Sequence, residues 1–164
     1  MTAANATAID PEAVPIAEDL FTWPAEEPAL IGGKASDGSV VFPYRASRLV
    51  AGKREELEKI ELPRRGALWT FTSQVFRPTS PPYAGEDDAK SFQPYTVGYV
   101  ELPGGLRIEG RLTEPDPEKL TIGQEMEVVV LPFAHDAEGK QTVTYAFRPV
   151  DGTPAPKQTK EQAR

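Results

Sequence analysis

Five segments between residues 67 and 148 alternate apolar and polar side chains with a period of two, and that alternation predicts a mainly β chain. In 67–75, Trp69, Phe71, Ser73 and Val75 fall on one face, and Thr70, Thr72 and Gln74 on the other. In 95–102, Tyr95, Val97 and Tyr99 share a face, and Pro103-Gly104-Gly105 follows as a tight hairpin turn. Segment 106–112 points Leu106, Ile108 and Leu112 inward and Arg107, Glu109 and Arg111 outward. Met126, Val128 and Val130 mark a fourth strand over 125–131, and Val143, Tyr145 and Phe147 a fifth over 141–148. The 17 prolines argue against a helix bundle, because a proline inside a helix removes a hydrogen bond and clashes with the preceding turn.

Between the third and fourth strands, Asp116 suits a helix N-cap, Pro117 the first helical position and Gly123 a helix stop. Five antiparallel strands with a short helix after the third predict a five-stranded Greek-key barrel of the OB type, whose closure removes exposed sheet edges. Upstream, GKREELEKIEL (52–62) is the best helix candidate, with Glu55 and Lys59 four residues apart and Leu57 and Ile60 on one side. Residues 1–20 carry no sustained period and read as an extended arm outside the core with one short helical turn. Residues 151–164 read as a solvated, flexible tail. The chain thus divides into an N-terminal arm (1–30), a segment with the short helix (31–65), the barrel (66–150) and the tail (151–164).

Catalytic groups are sparse. With no cysteine and one histidine, the chain has no disulfide, thiolate metal site, Cys nucleophile or His cage of its own. His135 falls in HDAEGK, a turn between the last two strands, where a general base lacks desolvation and an orienting partner. Gly32-Gly33-Lys34 resembles the end of a phosphate loop, but Pro28 stands where the earlier glycine is needed. Pro78-Thr79-Ser80-Pro81 has PxxP spacing but reads as rigid loop filling, and Glu101, Glu109, Glu125 and Glu127 as solvated strand-face charge.

Binding groups are better placed. The link from Phe76 to Pro94 is long for a hairpin, and Arg77, Tyr83 and Phe92 give it adhesive groups where OB barrels often carry a binding loop. Arg107 and Arg111 point the same way from one strand, and Arg64, Arg65 and Arg77 flank another; such a cluster binds phosphate or a partner's carboxylates, or else pairs with neighbouring acids. The net charge of −7 weighs against a general nucleic-acid surface. No stretch approaches the about 20 apolar residues that span a bilayer, and no basic region followed by an apolar run opens the chain, so a cytoplasmic protein without membrane contact is expected.

The segment GKASDGSVVFPYRASRLVAG (33–52) resembles a rubredoxin-like zinc ribbon that has lost its ligands. It is similar to a bacterial and archaeal family that joins such a ribbon to a C-terminal OB-fold, with two CxxC pairs, each followed by glycine, flanking a Phe-Pro. Phe42-Pro43, Gly38 and Gly52 are present, but Lys34, Asp37, Arg48 and Ala51 occupy the four ligand positions, so no zinc is expected. Asp37 paired with Lys34 or Arg48 offers an electrostatic substitute, worth far less than a structural zinc. LPRRGALWTFT, PYTVGYVEL, PGGLRIEGRL and LTIGQEMEVVV extend the resemblance through the barrel.

The resemblance implies a non-catalytic accessory subunit of a thiolase-like protein acting on acyl-CoA thioesters, in thiolytic or Claisen-type, acyl-transfer or retro-aldol chemistry. The catalytic groups would belong to that partner, and coenzyme A thioester would be the substrate of the complex, with no cofactor held tightly by this chain. Trp69, Phe71, Arg77 and Tyr83 are then the leading anchors, with Phe92, Tyr95, Arg64, Arg65, Arg107 and Arg111 as further contacts to partner or CoA; Trp69 and Phe71 are equally suited to the barrel core. Two other readings stay open, a single-stranded nucleic-acid module stacking bases on the aromatic face and a stand-alone enzyme in the barrel cleft.

Overall fold

A computed structural model describes residues 8–79 and 87–151. The strands are β1 (Val14–Pro15), β2 (Ile31–Lys34), β3 (Val40–Val41), β4 (Ser47–Val50), β5 (Lys53–Glu56), β6 (Glu58–Glu61), β7 (Arg65–Gln74), β8 (Tyr95–Glu101), β9 (Arg107–Leu112), β10 (Glu125–His135) and β11 (Gln141–Pro149). Strand β7 pairs antiparallel with β8 and β8 with β9. Strand β9 runs parallel to β11, β11 pairs antiparallel with β10, and β10 returns to β7. This closed five-strand circuit is the OB arrangement. The alternation of β9, β10 and β11 is kept: Ile108, Leu112, Met126, Val128, Val143 and Phe147 fill the interior with Leu68 and Val100. On β8 the Tyr95, Val97 and Tyr99 face points outward, and Thr96, Gly98 and Val100 are the buried set.

Strand β7 departs from simple alternation. Leu68 faces Val100 and Thr70 faces Tyr99, which leaves Trp69 as the extra residue of a β-bulge. The slip moves the inward positions from Leu68 to Phe71, so Trp69 and Phe71 do not share a face. Trp69 is 46% exposed and lies outside the core, whereas Phe71 is half-buried and packs against it.

The helix expected over 52–62 is instead two strands. Ala51 (φ 47°) and Gly52 (φ 77°) form a two-residue turn with both φ values positive, the geometry that matches strand twist and closes the β4–β5 hairpin. Once Arg48 faces Glu55 and Ser47 faces Glu56, the backbone groups a helix needs are already committed. Leu57 then turns the chain, its N–H donating to the Ala46 carbonyl, and β6 pairs with β2 beside β3. Glycines at 32 and 33 serve this packing, not phosphate. A Cβ at Gly32 would stand 2.7 Å from Leu62, and one at Gly33 3.1 Å from Leu57.

Among the described residues, from residue 8 on, the N-terminal segment contains no helical turn and does not lie outside the core. Strand β1 lies parallel to β11, with Val14 against Thr142. The Trp23 indole N–H donates to the Ala13 carbonyl at 2.9 Å, and Phe21 bridges Leu30. Ala13, Phe21 and Leu30 are buried with Leu62 and the barrel residues in one continuous core. After β9 the helix reduces to a 3-10 turn over Pro117–Lys119, with Asp116 accepting from the Glu118 N–H as its N-cap. It ends at Leu120, so Gly123 is not its stop; Gly123 (φ 87°) lies in the following turn and donates to the Leu68 carbonyl. His135 is the last residue of β10, opposite Gln141, and the reversal occupies the residues after it. No helix among the described residues is long and apolar enough to cross a membrane. Residues 152–164 of the expected tail lie outside the described residues.

Candidate functional site

The bulge at Trp69 builds an aromatic–arginine stripe on the outer face of β7, β8 and β9. The Arg107 guanidinium lies 3.9 Å from the Trp69 ring centroid, and its Nε donates to Glu101 across the β8–β9 pair at 2.7 Å. Tyr99 meets the Trp69 ring edge-on at 6.3 Å. The Tyr99 hydroxyl donates to Glu109 at 3.0 Å, and that bond and the carboxylate's charge hold it above the usual phenol range. Farther along, Arg111 lies 4.5 Å from the Tyr95 ring, and Phe92 packs against Tyr95 at 6.0 Å. The structure thus brings together Trp69, Phe92, Tyr95, Arg107 and Arg111 of the expected set and adds Tyr99. Phe71 is not part of the stripe.

The remaining arginines are spent on the fold. Arg64 donates to the Pro28 carbonyl at 3.0 Å and to Glu27 at 3.1 Å, tying the N-terminal segment to the start of β7. Arg65 lies 3.4 Å from Glu125 and 3.5 Å from Glu127. Glu127 also pairs with Arg148. Hydrogen bonding to Arg148 holds its carboxyl below the ordinary range against the opposing effect of burial, and the charges of Arg148, Arg65 and Arg64 add to this. Arg77 donates to the Asp87 carbonyl at 3.0 Å, closing the base of the long link. Tyr83 lies outside the described residues. Arg111 differs from these arginines: among the described residues it stacks on Tyr95 and makes no ion pair with a carboxylate.

Two of the four expected ligand-loss positions meet. Arg48 reaches Asp37 at 3.4 Å from Nη2 and Glu55 at 2.8 Å from Nε. Ser36 donates to Glu55 at 2.6 Å, and Arg48 to Ser39 at 3.0 Å. Lys34 ends β2 outside this network, and Ala51 sits in the β4–β5 turn. Ser36, Ser39 and Glu55 escape sequence reading. The signal available was the Arg48–Glu55 register of a two-residue hairpin, hidden by the i,i+4 spacing of Glu55 and Lys59. No group of three or more His, Cys, Asp or Glu side chains that could hold a metal occurs among the described residues.

This network has a pH signature. Hydrogen bonds from Ser39, then the charge of Arg48, lower the Asp37 carboxyl from 3.8. Bonds from Ser36 and Arg48 lower that of Glu55 from 4.5. Their contribution is therefore full above those ordinary values and is lost as the pH falls through and below them. Amide protection in the 36–39 turn and the β4–β5 hairpin should drop as the pH is taken from neutral to below 3.8. Arg48→Met should already be loose at neutral pH; equal protection in both proteins would show the network to be idle.

Comparisons with known proteins agree with the fold. Residues 59–131 match the family model described as the C-terminal OB-fold domain of ChsH2. A DUF35 domain-containing scaffold protein of Pyrococcus furiosus is 31% identical over 76% of this chain and 86% of its own length. The Thauera aromatica benzoylsuccinyl-CoA thiolase subunit BbsA is 30% identical over 80% of this chain and 85% of its own. A solved chain described as Ltp2-ChsH2(DUF35) aldolase superposes with a TM-score of 0.52 at 21% identity, covering 74% of this chain and 84% of that one, a likeness of fold. On those matches, spanning both the N-terminal unit and the barrel, the chain belongs to the DUF35 family of OB-fold proteins.

Proposed function

We propose that this chain is a non-catalytic accessory subunit of a thiolase-fold enzyme acting on acyl-CoA thioesters, contributing to assembly of the complex and to its acyl/CoA channel. The observation that carries the reading is the Trp69–Tyr99–Arg107 stripe. A closed barrel keeps a tryptophan 46% exposed and stacks an already paired arginine on it, the residue types that anchor protein interfaces. Relatives named as scaffold proteins and as a thiolase subunit support the same role. Carbon–carbon bond chemistry at a thioester needs a nucleophile and a general base. This chain has no cysteine, and its one histidine is exposed at the end of β10. The reading assigns both groups to the partner.

We also infer that residues 31–61 are a ribbon whose turns are held by the Asp37–Arg48–Glu55 network in place of metal. Elemental analysis of the purified chain should find well under one zinc per chain; stoichiometric zinc would overturn this inference.

A pull-down from native extract, identified by mass spectrometry and repeated by gel filtration at micromolar concentration, tests the accessory role. A thiolase-fold protein should co-elute, and its thioester activity should depend on this chain. Separate elution with unchanged partner activity would end the proposal. The nucleic-acid reading needs cations able to meet phosphates, yet Arg64, Arg65, Arg77 and Arg107 are paired with acids. Salt-sensitive binding of a labelled oligonucleotide would revive it.

A further inference from the structure

A cleft of about 560 Å³ opens beside the stripe, and no role discussed so far uses it. Its walls come from three parts of the chain: Ile16 and Leu20 of the N-terminal segment, Phe42 and Pro43 of the loop after β3, and residues of the barrel strands β8 to β11. The floor is Tyr145 over Gly110. The Phe42 ring meets Tyr145 edge-on at 5.6 Å, and the Tyr145 hydroxyl donates to the Glu109 carbonyl at 2.7 Å. Burial, then the charge of Glu109, pushes that phenol up to about 12, so it stays a donor already used within the fold. A Cβ at Gly110 would come within 2.8 Å of the Phe147 ring and 3.1 Å of Tyr145, so glycine lets both rings sit close to β9.

Two observations identify an occupant. Ile16 and Phe133, from the N-terminal segment and β10, line the cleft and are 43% and 50% exposed, so apolar surface on both is left in water. Two charged residues, Glu109 and Arg111, also line it. The Glu109 carboxylate accepts from Tyr99, whereas Arg111 stacks on Tyr95 without a carboxylate partner among the described residues. An apolar cleft within the usual ligand-site range of about 300–1,000 Å³, with one guanidinium on its wall that makes no ion pair among the described residues and one carboxylate already hydrogen-bonded to Tyr99, is complementary to an amphipathic anion. We infer that this cleft binds an apolar carboxylic acid, its aryl or alkyl tail between Ile16 and Phe133 and its carboxylate on Arg111.

The inference does not depend on a partner subunit, and its test uses the full chain alone. Calorimetric titration with 4-phenylbutyrate should show saturable one-to-one binding. 4-Phenylbutanol, the neutral compound with the same tail, should bind about tenfold more weakly, since a charge-assisted hydrogen bond is worth at least that factor. Arg111→Gln should bring the acid down to the level of the alcohol and leave the alcohol unchanged, while Phe133→Ser should weaken both. These side chains lie on the surface, so the melting temperature should serve as a control for folding. Absence of saturable binding, or equal binding of acid and alcohol that ignores Arg111→Gln, would overturn the inference. So would loss of partner assembly in Phe133→Ser without acid binding by the parent chain, which would make the cleft a protein-docking groove. Failure of the accessory role would appear in the pull-down and not here.

Discussion

Replacing Phe147 with alanine is expected to cost about 3–5 kcal/mol of unfolding free energy, a large share of the roughly 5–15 kcal/mol that holds a domain together. Phe147 is fully buried on β11, the strand that closes the barrel. Its backbone faces Val128 on β10 and Leu112 on β9, both buried, so the ring fills the space where the antiparallel and parallel pairings meet. It packs edge-on with Tyr145 at 6.1 Å and against the backbone at Gly110. Collapse around the deletion is limited because the strands on either side are tied to a closed circuit. Urea unfolding should show a lower midpoint with an unchanged slope. Phe76→Ala, at a side chain 70% exposed, should stay within about 0.5 kcal/mol. A loss for Phe147→Ala below about 1.5 kcal/mol would mean that the barrel does not close on this ring.

The barrel was legible because a closed sheet sorts side chains by a period of two. Ile108 and Leu112, Met126 and Val128, and Val143 and Phe147 all point where alternation puts them. The N-terminal unit was not legible in this way. Residues 53–61 are built from helix-forming types, and the hairpin that overrides them is set by positive φ at Ala51 and Gly52, a backbone property that Ala51 does not advertise. Phe21 and Leu30 are core residues carried by an irregular wrap, where no period exists to reveal them.

The stripe was half legible for a related reason. Arg107 and Arg111 lie on a regular strand, so their outward direction could be read directly. Trp69 lies on a bulge, and one inserted residue exchanges the faces of everything after it, which sent Trp69 out and Phe71 in. The ligand-loss positions leave Asp37 a choice between Lys34 and Arg48, and the structure selects Arg48; Glu55 enters the network through cross-strand register, which depends on a hairpin that the residue types conceal.

Trp69→Ala should weaken assembly with the partner by about 30-fold, the equivalent of ~2 kcal/mol expected of an interface anchor, while leaving the stability of the isolated chain almost unchanged. The separation follows from the bulge. Trp69 is excluded from the interior, so its removal leaves no cavity there, yet the surface lost is large and aromatic. Arg107 should behave as its companion. Glu101 at 2.7 Å and the indole at 3.9 Å already fix the guanidinium, so little side-chain freedom remains to be lost on docking. Because each supports the other, Trp69→Ala and Arg107→Ala should be less than additive in a double-mutant cycle read by surface-immobilised binding. Phe71→Ala is the internal contrast: it faces inward, so it should lower the melting temperature and leave the affinity of the folded fraction intact. If Trp69→Ala binds the partner as well as the parent chain does, the stripe is not the interface. The exposed Leu49 and Val50 at the end of β4 then become the apolar surface to test, since no barrel function accounts for their exposure.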